Sequence, residues 1–413
     1  RSAALGRDAA ESGNAPAAPV ARRRVFFVSG FDPEGPRRYH DIYRREGARQ
    51  AKIAGYDLTV GALAYEGREG ARWEVEMRGD AGATATSVAM LRWDDVARAR
   101  MRRPLWALYV LMAATVRRYV GSGAFAALCR VRAVSTWVGM YPVAMMLLYL
   151  AGALAAAALV LWIAALLGAP LFAGAPVAAI AAWLVLRATR RWDGATLVYY
   201  LMADFGFTAD HAEGAAPEME ARIDAFAARI AAALDEPDVD ETLLVGHSSG
   251  AAYAVSAAAR ALSRAAPSAR LSLLTLGQTI PMLSFLPGAA RLREELGAVA
   301  ADPRIEWIDV STPADGACYA LADPVAVSGV AAAGPKVLSA KFWDALTEDA
   351  QAAIKGRWFR IHIQYFFAFD DPAAFDYFAI TAGPRRLGER FAERRPSPRR
   401  IERPLIQRRL RRV

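Results

Sequence analysis

Between Arg132 and Arg187 the chain runs for 54 residues without one Asp, Glu, Lys or Arg. Core helices of soluble proteins are shorter than this and keep a polar face. One membrane crossing takes about 20 apolar residues, so the stretch has room for two. The first is expected over about 141–167 (YPVAMMLLYLAGALAAAALVLWIAALL) and a shorter second over about 171–187. Gly168, Pro170, Gly174 and Pro176 punctuate the join and predict a tight hairpin. Arg130 and Arg132 precede the stretch, Arg187, Arg190 and Arg191 follow it, and the turn carries no charge. By the positive-inside rule both ends face the cytoplasm. The expected placement is an integral protein of the inner (cytoplasmic) membrane with its soluble part on the cytoplasmic side. The competing reading is a helical hairpin buried in a soluble core. Upstream, Pro104–Val120 is apolar but flanked by arginines. It is either an interfacial helix with arginines at the headgroups or a helix packed on the soluble body.

The rest of the 413 residues alternates short apolar runs with helical patterns. RVFFVS (24–29) reads as a buried strand and 37–54 as a helix. The runs 57–64 and 71–78 read as an antiparallel pair, and 86–92 as another strand. Beyond the hairpin, 217–234 has apolar residues at helical spacing, with Glu218 and Glu220 in its first turn. ETLLVG (241–246), LSLLTL (271–276) and RIEWIDV (304–310) read as strands, with helices over 249–265 and 290–298 between them. RWFRIHI (357–363) is expected to be the last strand. Such alternation predicts an α/β domain, a mostly parallel sheet with helices on both faces. The expected division is a disordered leader (1–24), a first part of the domain (25–95) and an insertion with the amphipathic and membrane helices (96–192). A second part of the domain (193–383) and a basic disordered tail (384–413) follow.

The charge is uneven. The net +9 equals the excess of arginine over glutamate in 385–413, so the remainder is near neutral. Such a tail reads first as solvated and disordered, then as a contact for anionic lipid. No groove-reading motif accompanies it, so nucleic acid is not an expected partner. The two cysteines, Cys129 and Cys318, lie far apart and suggest a reducing compartment. The sequence holds no H-E-x-x-H, C-x-x-C, G-x-x-x-x-G-K or G-x-G-x-x-G, and no metal or cofactor is expected.

The sharpest motif is Gly246-His247-Ser248-Ser249-Gly250, a G-x-S-x-G between an apolar strand and a small-residue helix. A sharp strand-to-helix turn there would hold a serine hydroxyl out at the edge of the sheet. On this motif and the order of elements, the chain resembles the α/β-hydrolase superfamily over roughly 24–95 and 195–382. The resemblance implies a Ser-acid-His triad in that chain order, with Ser248 as nucleophile. Of His40, His211, His247 and His362, only His362 follows the serine, so it is the expected base. The acid is expected to be Asp315, on the loop after 304–310, with Asp309 and Asp323 as alternatives. The oxyanion hole should use the backbone N–H groups of Ser249 and Phe31, with Gly30 permitting an unusual turn. The large insertion departs from the family, whose lid usually enters after the sixth strand. The expected function is a membrane-anchored serine hydrolase (esterase- or lipase-like) that cleaves an ester or thioester, with an acyl lipid as a plausible substrate. The alternatives are an acyltransferase on the same triad and a non-catalytic, membrane-tethered scaffold.

Overall fold

The computed structural model describes residues 18–80 and 82–406. They form one nine-stranded sheet covered by helices. Strand β1 (Arg22–Val28) takes its centre from the VFFV run. Successive side chains of a strand point to opposite faces. Val25 and Phe27 accordingly join one apolar cluster and Phe26 and Val28 the other. Helix α1 (Pro36–Ala54) starts on a proline and stops at Gly55, in the left-handed conformation. Then come β2 (Asp57–Val60), β3 (Ala64–Glu66), β4 (Gly70–Gly79) and β5 (Gly82–Leu91), with β2, β3 and β5 all antiparallel to β4.

A block of helices follows: α2 (Asp94–Met101), α3 (Leu105–Gly121), α4 (Ala124–Leu166), α5 (Leu171–Arg191), α6 (Asp193–Thr196), α7 (Val198–Ala212) and α8 (Pro217–Leu234). The chain then returns to the sheet with β6 (Glu241–His247), α9 (Gly250–Leu262), β7 (Leu271–Leu276), α10 (Ile280–Ser284), α11 (Ala290–Ala301), β8 (Ile305–Ser311) and β9 (Lys336–Ser339). The strand order is β2-β4-β5-β1-β6-β7-β8-β9, parallel from β5 to β9. Every residue of β6 is buried, as expected where helices cover both faces of a parallel sheet.

Helices α4 and α5 are long and apolar enough to cross a membrane, with window hydropathies of 2.3 and 1.8. Only 11% of each window is buried, which excludes the buried soluble hairpin. Leu167 and Phe172, at the turn, are 79% and 81% exposed. Helix α4 begins well before the expected span and breaks at Arg132, whose backbone (φ −157°, ψ 100°) is not helical. Residues 133–166 alone would rise about 50 Å, more than the ~30 Å hydrocarbon core. The lower part instead packs on the body, with Ser135, Thr136, Pro142 and Met146 buried. Helix α3 packs too, through Leu108, Leu111 and Met112, while Trp106 and Val110 remain exposed.

Three expectations need correction. Residues 358–362 form a short helix rather than a strand, and a 3₁₀ turn (Gln364–Phe366) follows. The outer edge of β8 is already paired by β9, so the segment has no strand partner there. A short apolar run does not by itself distinguish the two structures. The described part of the leader is ordered: Val20 is buried, and Arg23 inside β1 pairs with buried Glu241 at 2.7 Å. Residues 1–17 lie outside the described residues. The basic tail is folded up to residue 406. Leu387–Phe391 is a helix, and Arg390 and Arg394 donate to the carbonyls of Ala379 and Ala374. Ile401 bridges to Ala322, and Ile406 is buried. These arginines cap backbone acceptors instead of repelling one another in solvent. Residues 407–413 lie outside the described residues.

Candidate active site

Parallel strands bring the loops after β1, β6, β7 and β8 to one edge of the sheet, where ligand sites of α/β proteins form. Ser248 sits at the turn from β6 into α9 with φ +56°, a strained conformation for a residue with a side chain. The turn is held by Ser248 N–H to the Leu276 carbonyl (3.1 Å) and by Ala251 N–H to the Ser248 carbonyl (3.1 Å). The helix enters so close to β1 that a Cβ on Gly250 would lie 2.2 Å from the Ser29 carbonyl oxygen. Gly30 is needed for space, not for an unusual turn. Its φ is not positive, but a Cβ there would come within 3.0 Å of the Ser248 Cβ.

The structure brings three of the expected residues into one hydrogen-bonded chain. His362 Nε2 lies 2.9 Å from Ser248 Oγ, and His362 Nδ1 lies 2.9 Å from Asp315 Oδ2. His362 reaches the site from the short helix at 358–362. Asp315 is fully buried, and its other oxygen accepts the Ala317 N–H at 2.9 Å. The Tyr365 hydroxyl also donates to Oδ2, at 3.2 Å. Burial works to raise this carboxyl, but the His362 imidazole and the N–H donors outweigh it and hold it below its ordinary value. Asp315 is therefore a carboxylate without a proton. It fixes the proton of His362 on Nδ1 and leaves Nε2 to accept from the serine hydroxyl.

The two alternative acids are engaged elsewhere. Asp309 accepts from Thr275 Oγ1 at 2.6 Å inside the sheet. Asp323 caps the helix Pro324–Val327 through the N–H groups of Val325 and Ala326. The expected oxyanion donors are neighbours. In the resting geometry, the Phe31 N–H donates to Ser249 Oγ at 3.1 Å.

Sequence reasoning missed three supporting groups. His247 is buried, and burial together with the adjacent His362 pushes its imidazole down to about 3. It is therefore neutral, and its Nε2–H donates to the His362 carbonyl at 3.1 Å. Arg132 reads from sequence only as a charge flanking the membrane segment. In the fold it donates to the carbonyls of Pro313, Asp315 and Cys318 at 2.6, 2.6 and 3.0 Å, gripping the loop that carries the acid. Asp204, a lone acid in the apolar run VYYLMADFGF, opens onto the same cavity as Ser248. Burial pushes its carboxyl up to about 7, although His362 pulls the other way.

That cavity is a void of about 1260 Å³, open mouth included. Ser248 and His362 stand at one wall. The other walls come from α3, from α4 up to Val143 and from α7, and they are mostly apolar. Among the described residues, no cluster of His, Cys, Asp and Glu could hold a metal. The arrangement can activate a hydroxyl for attack on an acyl carbon, beside a cleft that accepts an apolar chain. No family model, no curated protein and no solved structure matches this chain, so the site stands on its geometry alone.

Proposed function

We propose that this protein is a membrane-anchored serine hydrolase of α/β-hydrolase type that cleaves acyl esters or thioesters. The observation that carries the reading is the Ser248–His362–Asp315 chain, with both links at 2.9 Å. A serine hydroxyl is a weak nucleophile near neutral pH, and this chain supplies what it lacks. His362 Nε2 takes the hydroxyl proton as Oγ attacks the acyl carbon. The imidazolium that forms is held by the Asp315 carboxylate. The tetrahedral oxyanion is received by the N–H groups of Ser249 and Phe31, at the N-terminal end of α9 and the end of β1. The Phe31 N–H becomes available when Ser249 Oγ swings aside. His362 then protonates the leaving oxygen or sulfur, and the acyl group remains on Ser248. Water, activated by the same imidazole, releases the acid.

The anchor reading rests on the exposure of α4 and α5. Exposed apolar surface of that extent marks a membrane or partner-binding face, and the length of the two helices favours the membrane. Arginines at both ends of the two apolar helices favour, by the positive-inside rule, a hydrolase body on the cytoplasmic face. The cavity is lined by α4 below its membrane stretch, which favours an acyl lipid drawn from the bilayer as substrate.

The test is labelling of the full-length protein in detergent with a fluorophosphonate probe. The wild type should label and Ser248→Ala should not. Labelling that persists in Ser248→Ala would refute the assignment. The substitution should also lower kcat by about 10⁶ when measured on a generic acyl ester.

A further inference from the structure

Two polar atoms in the cavity wall have no hydrogen-bond partner among the described residues: Thr115 Oγ1 on α3 and Asp204 Oδ1 on α7. Both atoms are covered, and Thr115 is 4% exposed. A buried donor or acceptor left unpaired costs about 1–3 kcal/mol, which a ligand group that pairs it would recover. A helical threonine ordinarily bonds back to a carbonyl of the preceding turn. Thr136, Thr189 and Thr381 do so, to the carbonyls of Arg132, Leu186 and Tyr377. Thr115 does not, so its hydroxyl remains available to the cavity.

The two residues belong to one helix pair. Leu111 of α3 packs so closely on α7 that a Cβ on Gly206 would lie 2.4 Å from it. Further along, Arg118 of α3 binds Asp210 of α7 at 2.7 Å. Thr115 lies between these two contacts on α3, and Asp204 lies two residues before the first on α7, where it lines the cavity.

We propose that Thr115 and Asp204 form a polar subsite that holds a hydroxyl group on an otherwise apolar acyl substrate. This rests on the reading of Ser248 as the nucleophile of the same cavity. A hydroxyl both donates and accepts, so it satisfies a threonine and a carboxyl group in either charge state. An anionic group does not fit. No Arg or Lys lines the cavity, whereas Asp32 and Asp204 do. A cleft built to bond a substrate hydroxyl discriminates against the analogue that lacks it, because its own polar atoms are then left unpaired.

The experiment uses the full chain in detergent and p-nitrophenyl decanoate against its hydroxydecanoate analogues, with the hydroxyl moved along the chain. At one position the hydroxylated ester should be favoured about tenfold in kcat/KM. Thr115→Val and Asp204→Leu should each erase that preference, while Asp204→Asn, which still hydrogen-bonds, should keep most of it. Taking the ratio of two esters on one variant cancels any effect on the shared chemistry, and fluorophosphonate labelling of each variant reports an intact fold. If no position is favoured, if an amino group is preferred to a hydroxyl, or if both apolar variants keep the preference, the proposal is overturned. A second readout does not depend on turnover. Calorimetry on Ser248→Ala should show a decanediol binding more tightly than decanol, and equal binding would overturn the subsite. Failure of Ser248 to label would instead strike the hydrolase reading, and the calorimetric comparison would still judge the subsite.

Discussion

At the scale of single residues, two carboxyl groups after β7 show how place, not type, decides role. Asp315 lies beyond the end of β8, where a loop turns it under His362. Asp309 lies inside β8, where it is hydrogen-bonded to Thr275 of the neighbouring strand. Burial pushes the Asp309 carboxyl up to about 8, against the Thr275 hydroxyl that favours its charged form. Its Oδ2 has no partner among the described residues. The native protein therefore holds a proton there that the unfolded chain, at the ordinary 3.8, has lost. The stability gained from this group is full below its ordinary value and is lost as pH rises through about 8. Asp309→Asn should thus raise the Tm at pH 8 and flatten its decline between pH 6 and 8, read by thermal melts in detergent, with activity unchanged. Asp315→Asn should do the opposite kinetically. It leaves a neutral partner that permits the wrong imidazole tautomer, and kcat should fall by about 10⁴. If the Asp309 variant lost activity and the Asp315 variant did not, the acid would have been misassigned. Ser249→Ala removes the oxygen that occupies the Phe31 N–H, so its kcat/KM should be no lower than wild type. A fall of tenfold or more would give that hydroxyl a direct part in holding the oxyanion.

At the scale of elements, the join between the long helix α4 and the sheet domain centres on Arg132. The helix breaks at this residue, and the guanidinium crosses to three carbonyls of the acid loop. Ser135, one turn on, donates to the Cys318 carbonyl as well. Truncating Arg132 strips the loop of several charge-assisted bonds, each worth about 1.5–3 kcal/mol. Arg132→Ala should lower kcat at nearly constant KM and shift the acidic limb of the pH–rate profile, because Asp315 no longer holds His362 in register. Arg132→Lys should recover part of the loss. A variant that merely melts earlier, with an unchanged pH profile, would reduce Arg132 to an ordinary structural contact. The elbow is the other critical element. Gly250→Ala would force the Ser29 carbonyl away from the start of α9, and labelling at Ser248 should be lost even where the protein remains folded.

At the scale of the whole molecule, the apolar surface of α4 and α5 is the dominant feature. The two long helices leave large apolar side chains uncovered, from Leu147 to Phe172 and on to Trp183. In membranes from expressing cells the protein should stay in the pellet after alkaline carbonate washing, and release into the supernatant would contradict the anchor. Much of this organisation was legible in the sequence, because it is written in short-range pattern. The uncharged run needs no partner to declare itself. The strand runs and the G-x-S-x-G turn are likewise local, and they placed Ser248 and most of the sheet. His362 and Asp315 could be named through the resemblance, but their meeting could not be read from spacing. They are 47 residues apart and come together only because parallel strands deliver their loops to one edge. The helix at 358–362 could not be told from a strand while the edge of β8 was unknown. The basic tail looked solvated because the carbonyls that neutralise its arginines belong to distant segments. Arg132, His247 and the pair Thr115 and Asp204 acquire their roles solely from what surrounds them. Local periodicity thus settles which segments are buried and where the chain turns, whereas pairing, orphaned polar atoms and shifted protons depend on neighbours that only long-range packing supplies.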